Sequence, residues 1–533
     1  MTRKKGRGAA RRIAAIDVGS NSVRQIVADV AGDGSIRVVD EMKAAPRLGA
    51  GLGAGGTLDA GAMQRAVDAV ARMAILARQL GAERIEAVAT SAVREAANGA
   101  AFIAAVREEA GIALRVLDGD AEARLAFRSA LAHFEIGAGR AIVMDIGGGS
   151  LELAFSADGL LERLESFPFG AIRLTEEFLS AGTSRRSVQR LRRVVRAELD
   201  RTLPARQWRR AACIGSGGTF TNLAGMFLAR TKVHTARTVH ATRVPRAEIE
   251  HIVDMLQAMT PEERLAVPGL TPARADIIVA GLAVAGEVMA RFESRELLVS
   301  AYGIREGLLL ESARVAPAAA DPGEARTRTV REFAERSHYE QAHANHVRNL
   351  ALQLFDAIGK RLGSEAGDRE LLADAALLHD VGYLVSYDKH HKHSYHLVLH
   401  ADLLGMSPAE QVIVANVARY HRGAPPKKKH RNFGTLEPGV RCRIRRLAGI
   451  LRVADGFDRG HAGAVEQIRV RWLERAVRLS AVPRSEEHPM RLELWGASRK
   501  SELLARVAGR PVEIVAPDGS IVLADEDGTT GTD

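Results

Sequence analysis

Two stretches of this sequence share one pattern: an apolar run, a turn that opens on Asp-x-Gly and closes on Ser, and a second apolar run. The first is Ile13 to Ile16, then Asp17-Val18-Gly19-Ser20-Asn21-Ser22, then Val23 to Val30. The second fills 141–155 around Asp145-Ile146-Gly147-Gly148-Gly149-Ser150. Placing Asp17 on Asp145 puts Gly19 on Gly147, Ser22 on Ser150, Val23 on Leu151 and Val27 on Phe155. Between them the periodicity predicts a helix over about 60–80, a strand at Ile85–Ala89, a helix over about 98–110, a strand at Leu114–Leu117 and a helix over about 120–133. Alternating strands and helices whose pattern restarts predict two related α/β lobes.

The chain has 533 residues, 46% hydrophobic and 26% charged, which leaves room for three or four domains of roughly 150 residues. Its two cysteines, Cys213 and Cys442, exclude a disulfide framework and a Cys-ligated zinc site, and fit a reducing compartment. Aromatics make up 4%, too few for the stacking platforms of a single-strand nucleic-acid binder. The net charge of +10 suits a polyanionic partner. No run approaches the roughly 18 apolar residues of a membrane span. The basic start at 1–10 is followed by an apolar run too short for a signal peptide, so a cytoplasmic protein with a flexible leader is expected.

The expected organisation is therefore lobe I over 11–133, lobe II over 134–312, and a Pro/Ala/Gly linker over 313–325. An almost wholly helical stretch covers 326–462, a small α+β region of short alternating strands covers 463–525, and 526–533 is a polar, disordered tail.

Glycine in the Asp-x-Gly turns allows positive φ, so that successive backbone N–H groups converge on one point and bind phosphate oxygens. Ser22 and Ser150 add hydroxyl donors. Asp17 and Asp145 would repel phosphate and make sense as ligands of a bridging magnesium ion. A third cluster, Gly215-Ser216-Gly217-Gly218-Thr219, follows another apolar run and reads either as a third phosphate-facing loop or as a plain helix entry turn. No Walker or dinucleotide-binding fingerprint is present.

These motifs, with Ala89-Thr-Ser-Ala-Val-Arg94, Gly119-Asp-Ala-Glu122-Ala-Arg-Leu125, Glu152-Leu153 and Tyr302-Gly-Ile-Arg-Glu-Gly307, resemble in order and spacing the exopolyphosphatase / guanosine pentaphosphate phosphohydrolase (Ppx/GppA) family. The resemblance covers 11–312 and implies the actin-like, acetate- and sugar-kinase two-lobed fold. It implies hydrolysis of terminal phosphate from inorganic polyphosphate, guanosine pentaphosphate or both, with magnesium or manganese, in a homodimer. Residue by residue, it makes Glu122 the catalytic Glu that deprotonates water and Arg94 a holder of the terminal phosphate. Glu152 is an acidic residue near the metal that helps position water. Gly19, Ser20, Asn21, Ser22, Gly147, Gly148, Gly149 and Ser150 are the phosphate-cradling loops, joined by Gly217 and Gly218, and Asp17 and Asp145 are the metal carboxylates. Two departures are Leu151, where the family usually has Thr, and Asp120-Ala121 in place of an acidic pair. In-line hydrolysis of an anhydride asks for placed water, a base and positive charge around the phosphoryl group, and this set supplies them.

The helical stretch carries a histidine series: His343, His379-Asp380, His393, His421 and Asp455. Its H…HD…D order resembles the HD metal-dependent phosphohydrolases. That implies a second divalent metal on His343, His379, Asp380 and Asp455, with His393 and His421 in supporting or second-metal positions. His346, His390, His391, His396 and His400 are less expected as ligands, and most of them are expected at the surface. Lys427-Lys428-Lys429-His430-Arg431 and Arg441 to Arg446 are either solvated faces or a track for a long polyanion. Two alternatives are open: a kinase of the same fold, and a nucleotide phosphohydrolase centred on the HD-type domain.

Overall fold

The two Asp-x-Gly turns join antiparallel hairpins, and each hairpin starts a sheet. The computed structural model of the chain describes residues 10–522 except 33, 135, 137–138, 232–237, 316–321, 402, 404 and 486–489. They fall into two units, one of residues up to 231 with 239–322 and one of residues from 323 on. The leader at 1–9, the core of the expected linker at 316–321 and the tail at 526–533 lie outside the described residues.

In the first unit, β1 (Arg11–Val18), β2 (Val23–Val30), β3 (Ile36–Ala44), β4 (Arg84–Ala89) and β5 (Leu114–Val116) form a sheet of order β3-β2-β1-β4-β5. β6 (Arg140–Ile146), β7 (Leu151–Ala157), β8 (Leu160–Phe167), β9 (Ala212–Ser216), β10 (Thr242–Pro245) and β11 (Glu296–Val299) form a second, of order β10-β11-β9-β6-β7-β8. In both, the hairpin is extended antiparallel on one side and continued by parallel strands on the other. The likeness reaches the irregularities. A register shift interrupts β2–β3 between Val27 and Ala28, and another interrupts β7–β8 between Phe155 and Ser156, the matching positions of the repeat. This is the duplicated actin-like plan.

One helix packs on both sheets, and a second, late in the chain, packs on the first. In the helix Gly119–His133, Ala123, Ala126, Phe127 and Ala130 pack on the second sheet, while Leu125 joins Ile13, Ala15 and Ile26 of the first. The helix Ile304–Ser312 also returns to lobe I, although 134–312 reads from sequence as lobe II. Its Leu308 and Leu309 complete the apolar face of β1 and β2. A Cβ at Gly307 would lie 2.2 Å from the Leu125 carbonyl, so the two helices cross at backbone contact.

The second unit has one core, built from helices that include Gln341–Ile358, Asp368–Leu378, Pro408–Arg419 and Pro438–Gly456 and from a sheet of order β12-β13-β14-β15. Its strands are β12 (Val465–Trp472), β13 (Val477–Pro483), β14 (Val512–Val515) and β15 (Ile521–Val522). The run of alternating strands expected after 463 is interrupted by two helices, Arg491–Lys500 and Glu502–Ala508, whose Leu494, Ala497, Leu503 and Leu504 enter the core at helical spacing. Among the described residues no helix is long and apolar enough to cross a membrane.

Candidate functional site

One cleft in the first unit is lined by both Asp-x-Gly turns, by Glu122 and Glu152, and by the Gly217-Gly218 turn. The two turns are built alike: Gly19 N–H donates to the Ser22 carbonyl and Gly147 N–H to the Ser150 carbonyl, each at 3.0 Å. Their outer carbonyls are held from behind. Gly49 N–H donates to Ser20 O at 2.8 Å, and Ala171 and Ile172 N–H donate to Gly147 O and Gly148 O, each at 2.9 Å. Among the described residues no acceptor takes the N–H groups of Ser20, Asn21, Gly148 and Gly149, which suits them to a ligand.

The glycines are needed for a different reason from the one the sequence suggests. None of Gly19, Gly147, Gly148 and Gly149 has positive φ; among the cleft turns only Gly217 does, at 89°. The requirement is close approach. A Cβ on Gly148 would lie 2.8 Å from Ser20 Cβ, and one on Gly149 would lie 2.0 Å from Ser91 Oγ. Only hydrogen fits where the two turns face each other. Gly217 lies over the metal-candidate carboxylate, its hypothetical Cβ 2.6 Å from Asp145 Oδ1, and opens the helix Gly218–Arg230.

Glu122 sits in the first turn of the helix Gly119–His133, whose N-cap Asp118 accepts from Ala121 N–H at 2.7 Å. Gly119 presses against Ser166 of β8, which itself donates to Glu152 Oε1 at 3.2 Å. That contact brings Glu122 beside Glu152. Burial, then the neighbouring Glu152, push the Glu122 carboxyl well above its usual range. Burial likewise raises Glu152 to about 8. Burial thus favours the acid form of both carboxyls. Arg94 does not line the cleft. Its Nη1 donates to Glu122 Oε1 at 2.5 Å and to the Leu117 carbonyl at 2.6 Å, so it touches the Glu and not the cradle.

Asp145 is buried and Asp17 partly so, and desolvation raises both carboxyls, Asp17 to about 6. Asp17 Oδ1 is buried without a hydrogen-bond partner. An orphaned buried carboxylate oxygen beside a second carboxylate fits a bound cation. Across the hairpin registers Asp17 pairs with Arg24, and Asp145 pairs with Glu152. The repeat thus carries Arg at one position in lobe I and Glu at the same position in lobe II.

Sequence reasoning missed the basic side of the cleft. Arg24, Arg274 and Arg305 line it, and Lys43 stands near them. Burial, then Arg24, lower the Arg274 guanidinium to about 10, and burial with the three arginines lowers Lys43 to about 8. Arg305 is paired with Glu41 at 3.4 Å and Glu306 at 3.6 Å, but the crowding of Arg24, Arg274 and Lys43 still favours an incoming anion. The signals available were Arg24, two residues after Ser22, and Arg305 within Tyr302-Gly-Ile-Arg-Glu-Gly307.

The second unit gathers the histidine series, with one exchange. His343 Nε2 and His379 Nε2 lie 3.3 Å apart, and Asp380 Oδ2 is 3.8 Å from the first and 3.5 Å from the second. Asp455 Oδ1 is 3.7 Å from His343 Nε2, and its other oxygen is held by Lys500 Nζ. His343 Nδ1 bonds Asp458 Oδ2 at 2.8 Å, and His379 Nδ1–H donates to Ala376 O at 2.7 Å. His421 faces Asp380, whereas His393 is half-buried outside both His/Asp groups found among the described residues. His390, expected at the surface, is buried. A Cβ on Gly382 would lie 2.0 Å from the His390 carbonyl, so glycine there lets the helix His390–Leu399 press onto the turn after Asp380 and carry His390 inward. His346 and His391 are half-buried, and His396 and His400 are exposed.

The sequence profile of the Ppx/GppA phosphatase family matches residues 25–315, and that of Ppx/GppA phosphatase, domain III, matches 325–486. A guanosine-5'-triphosphate,3'-diphosphate pyrophosphatase of Vibrio vulnificus is 27% identical over 444 residues, covering 82% of this chain and 86% of its own. Of solved structures, a Ppx/GppA family member of Aquifex aeolicus is 28% identical with a TM-score of 0.50, covering 57% of this chain and 98% of its own. An exopolyphosphatase of Cytophaga hutchinsonii is 27% identical with a TM-score of 0.52, covering 58% and 100%.

Proposed function

Since the chain belongs to the Ppx/GppA phosphatase family, we propose that it is a phosphoanhydride hydrolase releasing terminal orthophosphate from inorganic polyphosphate, guanosine pentaphosphate or both. The observation that carries this reading is the convergence of Glu122, Glu152 and the two Asp-x-Gly turns on one cleft. The substrate class is taken from the relatives' names.

In this reading the free N–H groups of Ser20, Asn21, Gly148 and Gly149 and the hydroxyls of Ser22 and Ser150 hold oxygens of adjacent phosphoryl groups. Arg24, Arg274 and Arg305 take the charge of the remaining chain. Once ionised, Glu122 can accept a proton from water. The water oxygen bonds to the terminal phosphorus as the bridging P–O bond breaks, and the leaving phosphate keeps that electron pair. Arg94 fixes the orientation of the Glu122 carboxylate, and Glu152 helps to position the water. Asp17 and Asp145 would hold magnesium or manganese, which neutralises phosphate charge when bound. In the second unit, the inward Nε2 atoms of His343 and His379 with Asp380 and Asp455 suit a further divalent ion in an HD-type arrangement. The homodimer and the cytoplasmic location implied by the resemblance belong to the same reading.

The test is phosphate release from both substrates by the wild type and by Glu122→Gln. The expected loss is on the order of 10²–10⁴-fold with polyphosphate binding retained. Undiminished turnover would overturn the assignment.

A further inference from the structure

Asp17, Arg24 and Lys43 stand side by side across three strands. Asp17 of β1 pairs with Arg24 of β2, and Arg24 pairs with Lys43 of β3, the edge strand of the first sheet. Residues directly opposite in an antiparallel pair share a face, with Cβ atoms about 4.5–5.5 Å apart. Arg24 lines the cleft and Lys43 does not, so Lys43 stands one strand out from it, at the rim. Like charges placed directly opposite weaken a sheet, so the pair marks a place suited to an anion.

Lys43 differs from its neighbours in what can be done to it. Among the described residues of the first unit it is the only lysine, and Arg24, Arg274 and Arg305 beside it are arginines. A guanidinium keeps its proton, whereas an amine that loses one becomes a nucleophile. Lys43 is exposed, and Glu41, two residues back on the same strand face, is held by Arg305 at 3.4 Å. Partial desolvation, then Arg24, Arg274 and Arg305, lower the Lys43 amine from an ordinary 10.5 to about 8, and no carboxylate offsets them. At pH 8 about half of it is free amine, roughly 10²-fold more than in an ordinary lysine.

We propose that Lys43 is an acylation site, served by small acyl phosphates whose phosphoryl group docks beside Arg24. The inference rests on the reading of the cleft as a phosphate site. The docked phosphate sets the activated carbonyl beside Nζ. The Nζ lone pair bonds to the carbonyl carbon, the carbon–oxygen bond to phosphate breaks, and orthophosphate leaves with that electron pair. The amine proton passes to solvent, and an amide remains. Amide formation removes one of the cations that crowd this side of the cleft, so the acylated protein holds a phosphate chain less tightly. Donor and substrate compete for the same guanidinium, so a seated chain protects Lys43.

The test treats the full chain with acetyl phosphate at about pH 8 and follows each lysine-containing peptide by mass spectrometry. Lys43 is expected to be acetylated about tenfold faster than Lys360, Lys389 or Lys427, and about tenfold more slowly once excess tripolyphosphate is present. The treated wild type should show a KM for polyphosphate raised about threefold to tenfold with kcat little changed. Lys43→Arg, which has no amine to acylate, should keep its own KM on treatment. An even spread of acetyl groups over the lysines, or labelling of Lys43 that tripolyphosphate leaves unaltered, overturns the proposal. Orthophosphate release by the untreated wild type separates the two readings: with release intact, either result sinks the acylation site alone, whereas no release from either substrate sinks the hydrolase reading.

Discussion

Arg94 and Glu152 act on Glu122 from opposite sides, and the sum sets when Glu122 can serve as a base. Arg94 favours the carboxylate, while burial and Glu152 favour the acid. The phosphatase rate should therefore rise with pH as Glu122 ionises, and Glu152→Gln should move this limb to lower pH. A pH profile of kcat checks both. The stability sign is opposite. The Glu152 carboxyl goes from an ordinary value of 4.5 to about 8 in the fold. Its contribution is complete below 4.5 and is lost as pH rises through 8. Glu152→Gln should thus melt a few degrees above the wild type at pH 8.5 and level with it at pH 4, by calorimetry. Arg94→Ala, which touches the Glu and no cradle atom, should lower kcat at least tenfold with little change in KM, and Arg94→Lys should recover part of it. A phosphate-holding Arg94 would raise KM instead.

At the scale of elements, the hairpins and the Asp-x-Gly turns were legible because the turn residues recur between matched apolar runs. The third strand of each hairpin, β3 and β8, was not: both have mostly half-buried or exposed residues, so their alternation is weak. The turns were found for a reason that the structure replaces, contact between facing backbones in place of positive φ. That difference is testable. Gly149→Ala keeps an allowed φ but puts a methyl against Ser91, and should cost about 1–3 kcal/mol in melting while raising KM for phosphate chains. Gly149→Ala combined with Ser91→Gly should recover much of the loss. His390 was missed because His390-His391-Lys392-His393 carries no period that marks a buried face. Gly382 decided it, and a lone glycine after His-Asp does not announce a helix packed against it. The arginines around the cleft were missed because Arg274 and Arg305 come from distant parts of the chain.

The whole molecule carries a net charge of +10, and four of its cations crowd one side of the cleft. Binding of a long polyphosphate should weaken steeply as salt rises, and binding of a short chain much less. KM measured over 50–400 mM potassium chloride, about a Debye length of 14 down to 5 Å, checks this. Removing Arg24 should flatten the slope for both. The same residue bears on a consequence of the duplication. Two copies of one hairpin, left identical, would frame a pocket that reads the same from either end. Here one matched position holds a cation, Arg24, in the first copy and an acid, Glu152, in the second, so the two halves of the cleft are not equivalent. The broken symmetry means that a bound anion meets a cation from the first copy and an acid from the second.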